Sequence, residues 1–520
     1  MAREQERAEL HRTIWNAANE LVHGGKLTPV QFMNYMLGGL FYRFISENLT
    51  NFINSEERKT DPTFDYASLS DEAAEQGRSE IIIEKGFYIL PSQLFENVAK
   101  RAEVDSTDLN EILSETFSSI ENSAQGTPSE DDIKGLFTGF DVNSIYLGDS
   151  VIKRNEQLAK LLVKIKSLPM SGDFIDQEID TFGDAYEFLI EKYAIGSGKK
   201  GGEFYTPQEV SELLAKITLV GKSVVNKVYD PACGSGSLLL KFAKILGKEN
   251  VRNGFYGQEI NLTTYNLCRM NMFLHNIEFD KFDIACEDTL IHPQHLDDEP
   301  FECIVSNPPY SVPWDGDSNP LLINDSRFSP AGVLAPKSKA DLAFTMHMLS
   351  HLATNGTAAI VEFPGVLYRG GNEQKIRKYL IDNNFVDAVI QLPDNLFFGT
   401  TIATCIIVLK KSKSTNDVLF IDASNEFIHE GNKNKLSDDN IFRVLNAYVD
   451  RKDVDHFVAL VGNGTIAEND YNVSVSTYVE TENKNEEINI DALNEQISQI
   501  VRRETELRTE IDKIISSLRF

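Results

Sequence analysis

The stretch "CIVSNPPY" (Cys303–Tyr310) carries a β-branched apolar run straight into an amide, two prolines and an aromatic ring. Proline has no N–H for a strand ladder, so a strand over Phe301–Ser306 must stop there. A rigid loop follows, with Asn307 at its start, Pro308 and Pro309 fixing φ, and Tyr310 at its end. Asn-Pro also serves as a plain turn, so the surroundings decide whether this loop does chemistry. The chemistry on offer is activation of an NH2 group on a planar substrate. Such a nitrogen is a poor nucleophile because its lone pair is delocalised. The Asn307 side-chain oxygen and the Pro308 carbonyl can both accept from it, favouring a pyramidal nitrogen whose lone pair points at an electrophile. Tyr310 offers a face for stacking. No strong general base is required, since the alkylated nitrogen becomes acidic; catalysis would be positioning and electrostatics.

The electrophile is read from a second group of residues. "VVNKVYDPACGSGSLLLKFAKIL" (224–246) has the pattern strand, tight glycine-rich loop, helix. Such a loop lets a ligand approach the backbone and aims helix N-terminal N–H groups at it. Ala232, Gly234, Ser235, Gly236 and Ser237 are the candidate cradle. A dinucleotide fingerprint would need a third glycine, but Ser237-Leu-Leu follows Gly236. Asp230, at the strand end before Pro231, would repel a pyrophosphate and suits a cationic amino group. The next strand ends in "YGQEIN", placing Glu259 where a carboxylate can accept from both hydroxyls of a ribose. The third ends in "ACEDTL", with Asp288 set to accept from an adenine amino group. An amino acid, a ribose and an adenine, in that order at successive strand ends, spell S-adenosylmethionine. Ligands of open α/β sheets sit beyond the carboxyl ends of the strands, which brings the Asn307 loop beside the sulfonium methyl.

These residues need a particular frame. From Thr181 to Ser412, short Val/Ile-rich runs alternate with helix-length segments, which predicts βαβ units and a mostly parallel sheet. The runs are "VVNKVYD", "GFYGQEI", "FDIACED", "ECIVSN", "GTAAIVEF", "VDAVIQL" and "TCIIVLKK". A polar linker is expected between Lys411 and Asp417, then a mixed segment to Val479. Residues 1–165 read as a helical N-terminal domain, with Phe32, Tyr35, Met36, Leu40, Phe44 and Ile45 at helical spacing and Thr28-Pro29 as a start. Ser55–Ala74 and Asn122–Asp132 are polar and read as loops. Residues 166–479 form the α/β domain. Residues 480–520 form a C-terminal helix whose Leu493, Ile497, Ile500, Leu507, Ile511, Ile514 and Leu518 make a narrow stripe. That helix either folds back on its own body or docks a partner.

Length and composition fit two or three ordinary globular domains: 520 residues, 42% hydrophobic and 25% charged. No apolar run is long enough to span a membrane, and the charged N-terminus has no signal-like core, so a cytoplasmic location is expected. Five scattered cysteines without a Cys-x-x-Cys pair suit a reducing compartment and no structural zinc. The net charge is −29. Nucleic-acid affinity rests on Lys and Arg neutralising phosphates, so a nucleic-acid substrate would have to be gripped largely by another subunit.

"SNPPY" with an upstream "DPACGSG" resembles the amino-methyltransferases that modify adenine N6. "LGGLFYRFISE" (Leu37–Glu47), "GKKGGEFYTPQEV" (Gly198–Val210), "LPDNLFFGTTIATCIIVLKK" (Leu392–Lys411) and "NDYNVSVSTYVE" (Asn469–Glu480) extend the likeness over nearly the whole chain. Together they resemble the modification subunit of type I restriction-modification systems. The resemblance implies a Rossmann-like S-adenosylmethionine-dependent methyltransferase domain acting on the N6 amino group of adenine in double-stranded DNA. By that likeness Glu203, Phe204, Tyr205, Thr206, Pro207 and Gln208 line the cofactor pocket, as do Ser235–Ser237 and Glu259. "LFFGT" matches a base-stacking loop, so Phe398, with Phe397 as the alternative, would sandwich a flipped adenine against Tyr310. A base inside a duplex must be extruded to reach such a pocket, at a cost that stacking helps to offset. Residues 412–520 are too few and too acidic for a target-recognition region. The likeness therefore implies a separate specificity subunit, with two modification subunits to one, and an endonuclease subunit for restriction. The C-terminal stripe would dock the specificity subunit and the helical N-terminal domain would close over DNA.

Two rival functions are consistent with parts of this pattern. A protein glutamine methyltransferase uses Asn-Pro-Pro-Tyr on an amide nitrogen but has no need of the helical N-terminal region or "EFYTPQ". A non-catalytic assembly subunit would not need the full set of cofactor residues. His347/His351 and His292/His295 have ligand-like spacing, but no acid completes a His-Glu-x-x-His set, so no metal is expected.

Overall fold

The computed structural model describes residues 9–16, 29–170, 181–196, 205–296, 299–398, 400–480 and 490–517. The N-terminal region is helical: α1 (Pro29–Glu57), α2 (Phe95–Val104), α3 (Leu109–Ser123) and α4 (Val151–Ser167). Phe32, Tyr35, Met36, Leu40, Phe44 and Ile45 are all buried, as their spacing predicts. Met33, Leu37, Phe41 and Tyr42 are buried too, so the middle of α1 is covered on every side and forms the axis of this region. Close packing there depends on Gly39, where a Cβ would meet Ile165 Cδ1 at 2.4 Å. The buried Arg43 guanidinium donates to the carbonyls of Ile165 (2.7 Å) and Leu168 (3.0 Å), satisfying the carboxyl end of α4. Ser55–Ala74 and Asn122–Asp132 are mostly irregular, interrupted by one-turn helices such as Asp71–Ala74.

The sheet region begins with α5 (Thr181–Gly196) and α6 (Gln208–Thr218). Next come β1 (Val228–Asp230), α7 (Ser237–Leu246), β2 (Phe255–Gln258), α8 (Leu262–Leu274), β3 (Phe282–Ala285) and β4 (Phe301–Ser306). They are followed by α9 (Asp341–His351), β5 (Leu352–Glu362), α10 (Asn372–Asp382), β6 (Val386–Gln391), β7 (Cys405–Lys410) and β8 (Asp417–Asp422). A hairpin, β9 (Ile428–Glu430) with β10 (Lys433–Lys435), then α11 (Asp438–Asp450) and β11 (Val458–Gly462), complete it.

Nine strands form one sheet in the order β11-β8-β6-β7-β5-β4-β1-β2-β3. Strand residues alternate between two cores. Cys303, Val305, Ala359 and Val361 pack with residues of α6, α7 and α8, whereas Ile304, Ala358 and Ile360 pack with α9 and α10. The sheet is therefore doubly wound, as the sequence predicts. Two strands depart from parallel pairing. β7 runs antiparallel to both β5 and β6, because it returns from β6 without a crossover helix and inserts between them. β11 is antiparallel to β8. The mixed segment after Lys411 is also more ordered than its sequence implies: β8 pairs parallel with β6 inside the sheet.

Chain order reverses at β1, whose neighbours are β2 and β4. That reversal opens a crevice at the carboxyl ends of these strands, where ligands of such sheets bind. The helical region meets the sheet region through α8. There, Arg269 donates to the carbonyls of Asp131 (2.6 Å) and Lys134 (3.0 Å), and Asn266 to that of Gly135 (2.9 Å). Met1–Val479 forms one compact unit and Glu480–Phe520 another. The second unit contains α12 (Ile490–Ser517), on which Ile497, Ile500, Leu507, Ile511 and Ile514 are exposed. Leu518 and Thr28 lie outside the described residues. Among the described residues no helix is long and apolar enough to cross a membrane.

Candidate active site

The turn after β1 is built by its glycines. Gly234 and Gly236 have φ of +55° and +79°, and Gly236 opens α7. A Cβ at Gly236 would meet Cys268 Sγ at 2.8 Å and Met272 Cε at 3.0 Å, so α8 backs directly onto the turn. Ser235 and Ser237 are buried, their hydroxyls 3.0 Å apart, and Asn271 Nδ2 holds the Ser235 carbonyl at 2.9 Å.

Asp230 ends β1, fully buried, with Oδ1 accepting from Ala232 N (3.0 Å) and Ser306 Oγ (2.8 Å). Burial pushes its carboxyl up to about 7, and Glu259 nearby adds to the rise. A carboxylate so placed, with neutral partners, favours a cationic guest. Glu259, just past β2, uses both oxygens on backbone: one accepts from Gly234 N (3.0 Å), the other from Asn261 N (2.8 Å). It thereby ties the tip of β2 to the glycine turn. Asp288, three residues beyond β3, closes its own turn, accepting from Leu290 N at 2.9 Å.

Asn307 directly follows β4 and is buried. Its Nδ2 donates to Thr206 Oγ1 at 3.0 Å, and its Oδ1 accepts from the Tyr310 hydroxyl. The segment before α6 thus reaches the Asn307 loop, with Pro207 capping α6 and Tyr205 and Thr206 buried. Both polar atoms of the Gln208 amide are buried without a hydrogen-bond partner among the described residues. Glu203 and Phe204, predicted to share this segment, lie outside the described residues.

Aromatic rings surround the loop. Tyr310 meets Phe397 edge-on (6.4 Å, 81°) and Phe363 at a tilt (6.1 Å, 43°). Phe398 lies against Tyr205 at 6.0 Å. A small cleft lined by Tyr205, Thr206, Asp230, Ser235, Ser237 and Asn307 joins the glycine turn to the start of the proline loop. The sequence reading missed Ser306, Asp341 and Glu362. Ser306 needed only the β1–β4 pairing to be recognised as a partner of Asp230. Asp341 Oδ1 accepts from Ser311 N at 3.0 Å, holding the end of the proline loop. Glu362, at the end of β5, accepts from Thr345 Oγ1 at 2.9 Å. Burial, then the neighbouring Asp341, raises its carboxyl well above the usual range.

His347, His351 and His295 are buried in the core, whereas His292 is exposed. Arg327 donates to His347 Nδ1 (3.0 Å), so Nε2 carries the proton and donates to the Tyr229 hydroxyl (2.9 Å). His351 lies at a tilt against His347 (4.1 Å, 30°), and burial brings the pKa of His351 down to about 4. His295 lies edge-on to Tyr229 (5.6 Å), and its Nε2 donates to the Gly257 carbonyl at 3.1 Å. Among the described residues no cluster of three His, Cys, Asp or Glu is arranged to hold a metal.

A doubly wound sheet with a glycine-rich turn after β1 and its crevice at the β1/β4 switch is the architecture of Rossmann-like methyltransferases. Residues 177–487 match the N-6 DNA Methylase family, and residues 10–165 match the HsdM N-terminal domain. The chain is 48% identical to the type I restriction enzyme MpnII methylase subunit of Mycoplasma pneumoniae, over 99% of this chain and 97% of that one. The crystal structure of a type I restriction-modification methyltransferase subunit from Streptococcus thermophilus matches with a TM-score of 0.82 at 35% identity, covering 91% of this chain and 100% of that one. A chain from a structural study of complex assembly and conformational transition of the type I restriction-modification system shares the fold at 17% identity, with a TM-score of 0.64 over 99% of each chain. The chain belongs to the N-6 DNA Methylase family, among the methylase subunits of type I restriction enzymes.

Proposed function

We propose that this chain transfers a methyl group from S-adenosylmethionine to the N6 amino group of an adenine extruded from double-stranded DNA. It does so as the modification subunit of a complex whose separate specificity subunit reads the sequence. The observation that carries the reading is the contact between two halves of the crevice: the amide of Asn307 is bonded to Thr206, in the segment that caps the cofactor side.

The donor set fits the cofactor. Asp230 is a buried carboxylate with neutral hydrogen-bond partners, suited to an α-ammonium; Glu259 stands beside the glycine turn, where a ribose diol would lie; Gln208 brings a buried amide. S-adenosylmethionine supplies an electrophilic methyl on a sulfonium. The chain's residues do the rest. The Gly234–Ser237 turn cradles the cofactor, and Asp288 stands at the third strand end for the adenine amino group. Asn307 Oδ1 and the Pro308 carbonyl accept the two protons of the substrate amine, Pro309 keeps the loop rigid, and Tyr310 stacks on the base. Phe398, with Phe397 as the alternative, closes the other face of the base.

The acidic body, with a net charge of −29, supports a division of labour in which the specificity subunit grips DNA. The exposed stripe on α12 supports its use as a docking helix, in an assembly of two modification subunits to one specificity subunit that an endonuclease subunit joins for restriction. The helical region (1–165) is proposed to close over DNA bound to the methyltransferase region (166–479), with 480–520 as the docking element. A cytoplasmic setting suits five free thiols and a DNA substrate.

The test is transfer of labelled methyl to unmethylated DNA by the purified chain with and without its specificity subunit. Label should appear on adenine N6 and depend on both polypeptides. Label on protein, or on another base, would refute the proposal.

A further inference from the structure

The β9–β10 hairpin is placed against the loop that carries Phe397 and Phe398. Lys433, the first residue of β10, sends its ammonium into that loop. Nζ lies 2.7 Å from the Phe397 carbonyl, 3.0 Å from Asn395 Oδ1 and 3.4 Å from the Thr400 carbonyl. An ammonium has three protons, and here three acceptors come from three points of one loop. Its nitrogen is also 5.8 Å from the Phe398 ring centre. The next residue continues the hold: Asn434 Nδ2 donates to both the carbonyl and Oδ1 of Asp394, each at 2.9 Å. In return Asn395 Nδ2 donates to the Asn432 carbonyl at 2.7 Å.

What this hold fixes is the placement of two rings. Phe397 meets Tyr310, and Phe398 meets Tyr205, so the loop spans the base side and the cofactor side of the crevice. The described residues of the loop lack regular structure, and Asn395 sits at φ +53°. A compact charged donor shared by three acceptors suits a loop that must keep one shape while a base enters.

We propose that Lys433 is a positioning residue for base capture, fixing the Asn395–Thr400 loop so that its aromatic rings stand ready to stack on the extruded base. This rests on the reading above that the loop receives that base.

The test uses the complete methyltransferase complex and a duplex with 2-aminopurine at the methylated position, whose fluorescence reports extrusion and stacking. Lys433→Ala should raise the KM for DNA about tenfold, the loss of one charge-assisted hydrogen bond, while leaving the dissociation constant for the methyl donor unchanged. The 2-aminopurine signal should change in parallel. Propylammonium, which replaces the missing side-chain atoms, should restore activity where tetramethylammonium does not. Asn434→Ala, which cuts the neighbouring tie to Asp394, should act in the same direction. Phe397→Ala and Phe398→Ala separate the two ideas. Should both leave the signal and the kinetics untouched, the stacking reading fails. Should either alter them while Lys433→Ala behaves as wild type, or loses stability without any response to propylammonium, the role given to Lys433 is wrong.

Discussion

The hydroxyl of Tyr310 donates to Oδ1 of Asn307, the oxygen proposed to receive the substrate's amino group. Without substrate, therefore, one lone pair of this acceptor is already engaged from within the loop, and an incoming base either exchanges with the phenol or takes the second lone pair.

That exchange makes two substitutions behave differently. Tyr310→Phe removes only a competing neutral donor, worth about 1 kcal/mol, so methyl transfer should stay within about fivefold of wild type. Tyr310→Ala removes the stacking face, worth about 1–3 kcal/mol per base, and should lower kcat/KM for DNA about 10- to 100-fold. Steady-state kinetics on unmethylated DNA decide it; equal losses in both variants would contradict the exchange.

Asn307→Ala should lower kcat by about 100- to 1,000-fold, the range for removing one preorganised polar group at a reacting centre. The chain should keep its fold and its affinity for the methyl donor. Thr206→Val removes the 3.0 Å hold on Nδ2 and should lower kcat less than the loss of the amide itself. Near-normal turnover in Asn307→Ala is the result that contradicts the mechanism.

Asp230 predicts opposite pH trends for stability and binding. Its carboxyl titrates at about 7, above the ordinary 3.8, so the ligand-free fold favours the protonated form. Its stabilising contribution is complete below the ordinary value and is lost as pH rises through about 7. A cationic ligand needs the ionised form, so affinity should instead fall as pH drops below about 7. Thermal midpoints of wild type and Asp230→Asn, with calorimetric binding of S-adenosylhomocysteine, check both trends. The substitution should flatten each.

Gly236→Ala combines a left-handed φ of +79° with a contact 2.8 Å from Cys268 Sγ. The cost should be about 2–4 kcal/mol in denaturant unfolding, from backbone strain plus overpacking. Adding Cys268→Ala should recover only the packing share. Full recovery would show that φ contributes nothing.

Replacing Ile500 and Ile511 by Asp alters side chains that are 67% and 53% exposed. The stability of the chain should be unchanged while co-purification of the specificity subunit is lost. Undiminished assembly would remove α12 from the proposed interface.

The sequence alone determined the order of the chemistry along the chain. The turn glycines, the acids at successive strand ends and the proline loop are encoded locally: an apolar run followed by Gly-rich or Pro-Pro residues can end a strand only one way. The burial of α1 and the doubly wound sheet followed from periodicity for the same reason. Tertiary structure decided what touches what. The Thr206–Asn307 bond joins residues 101 positions apart, and Ser306 reaches Asp230 across 76. Neither pairing has a sequence signature: parallel register, which brings Ser306 to Asp230, is set by the whole sheet, and the Thr206 segment reaches Asn307 only through the packing of α6. The antiparallel insertion of β7 and the burial of Glu362 also depend on strand order, which is a property of packing rather than of any local segment. The three acceptors around Lys433 are likewise gathered by the fold, from a loop that by itself reads only as apolar and aromatic.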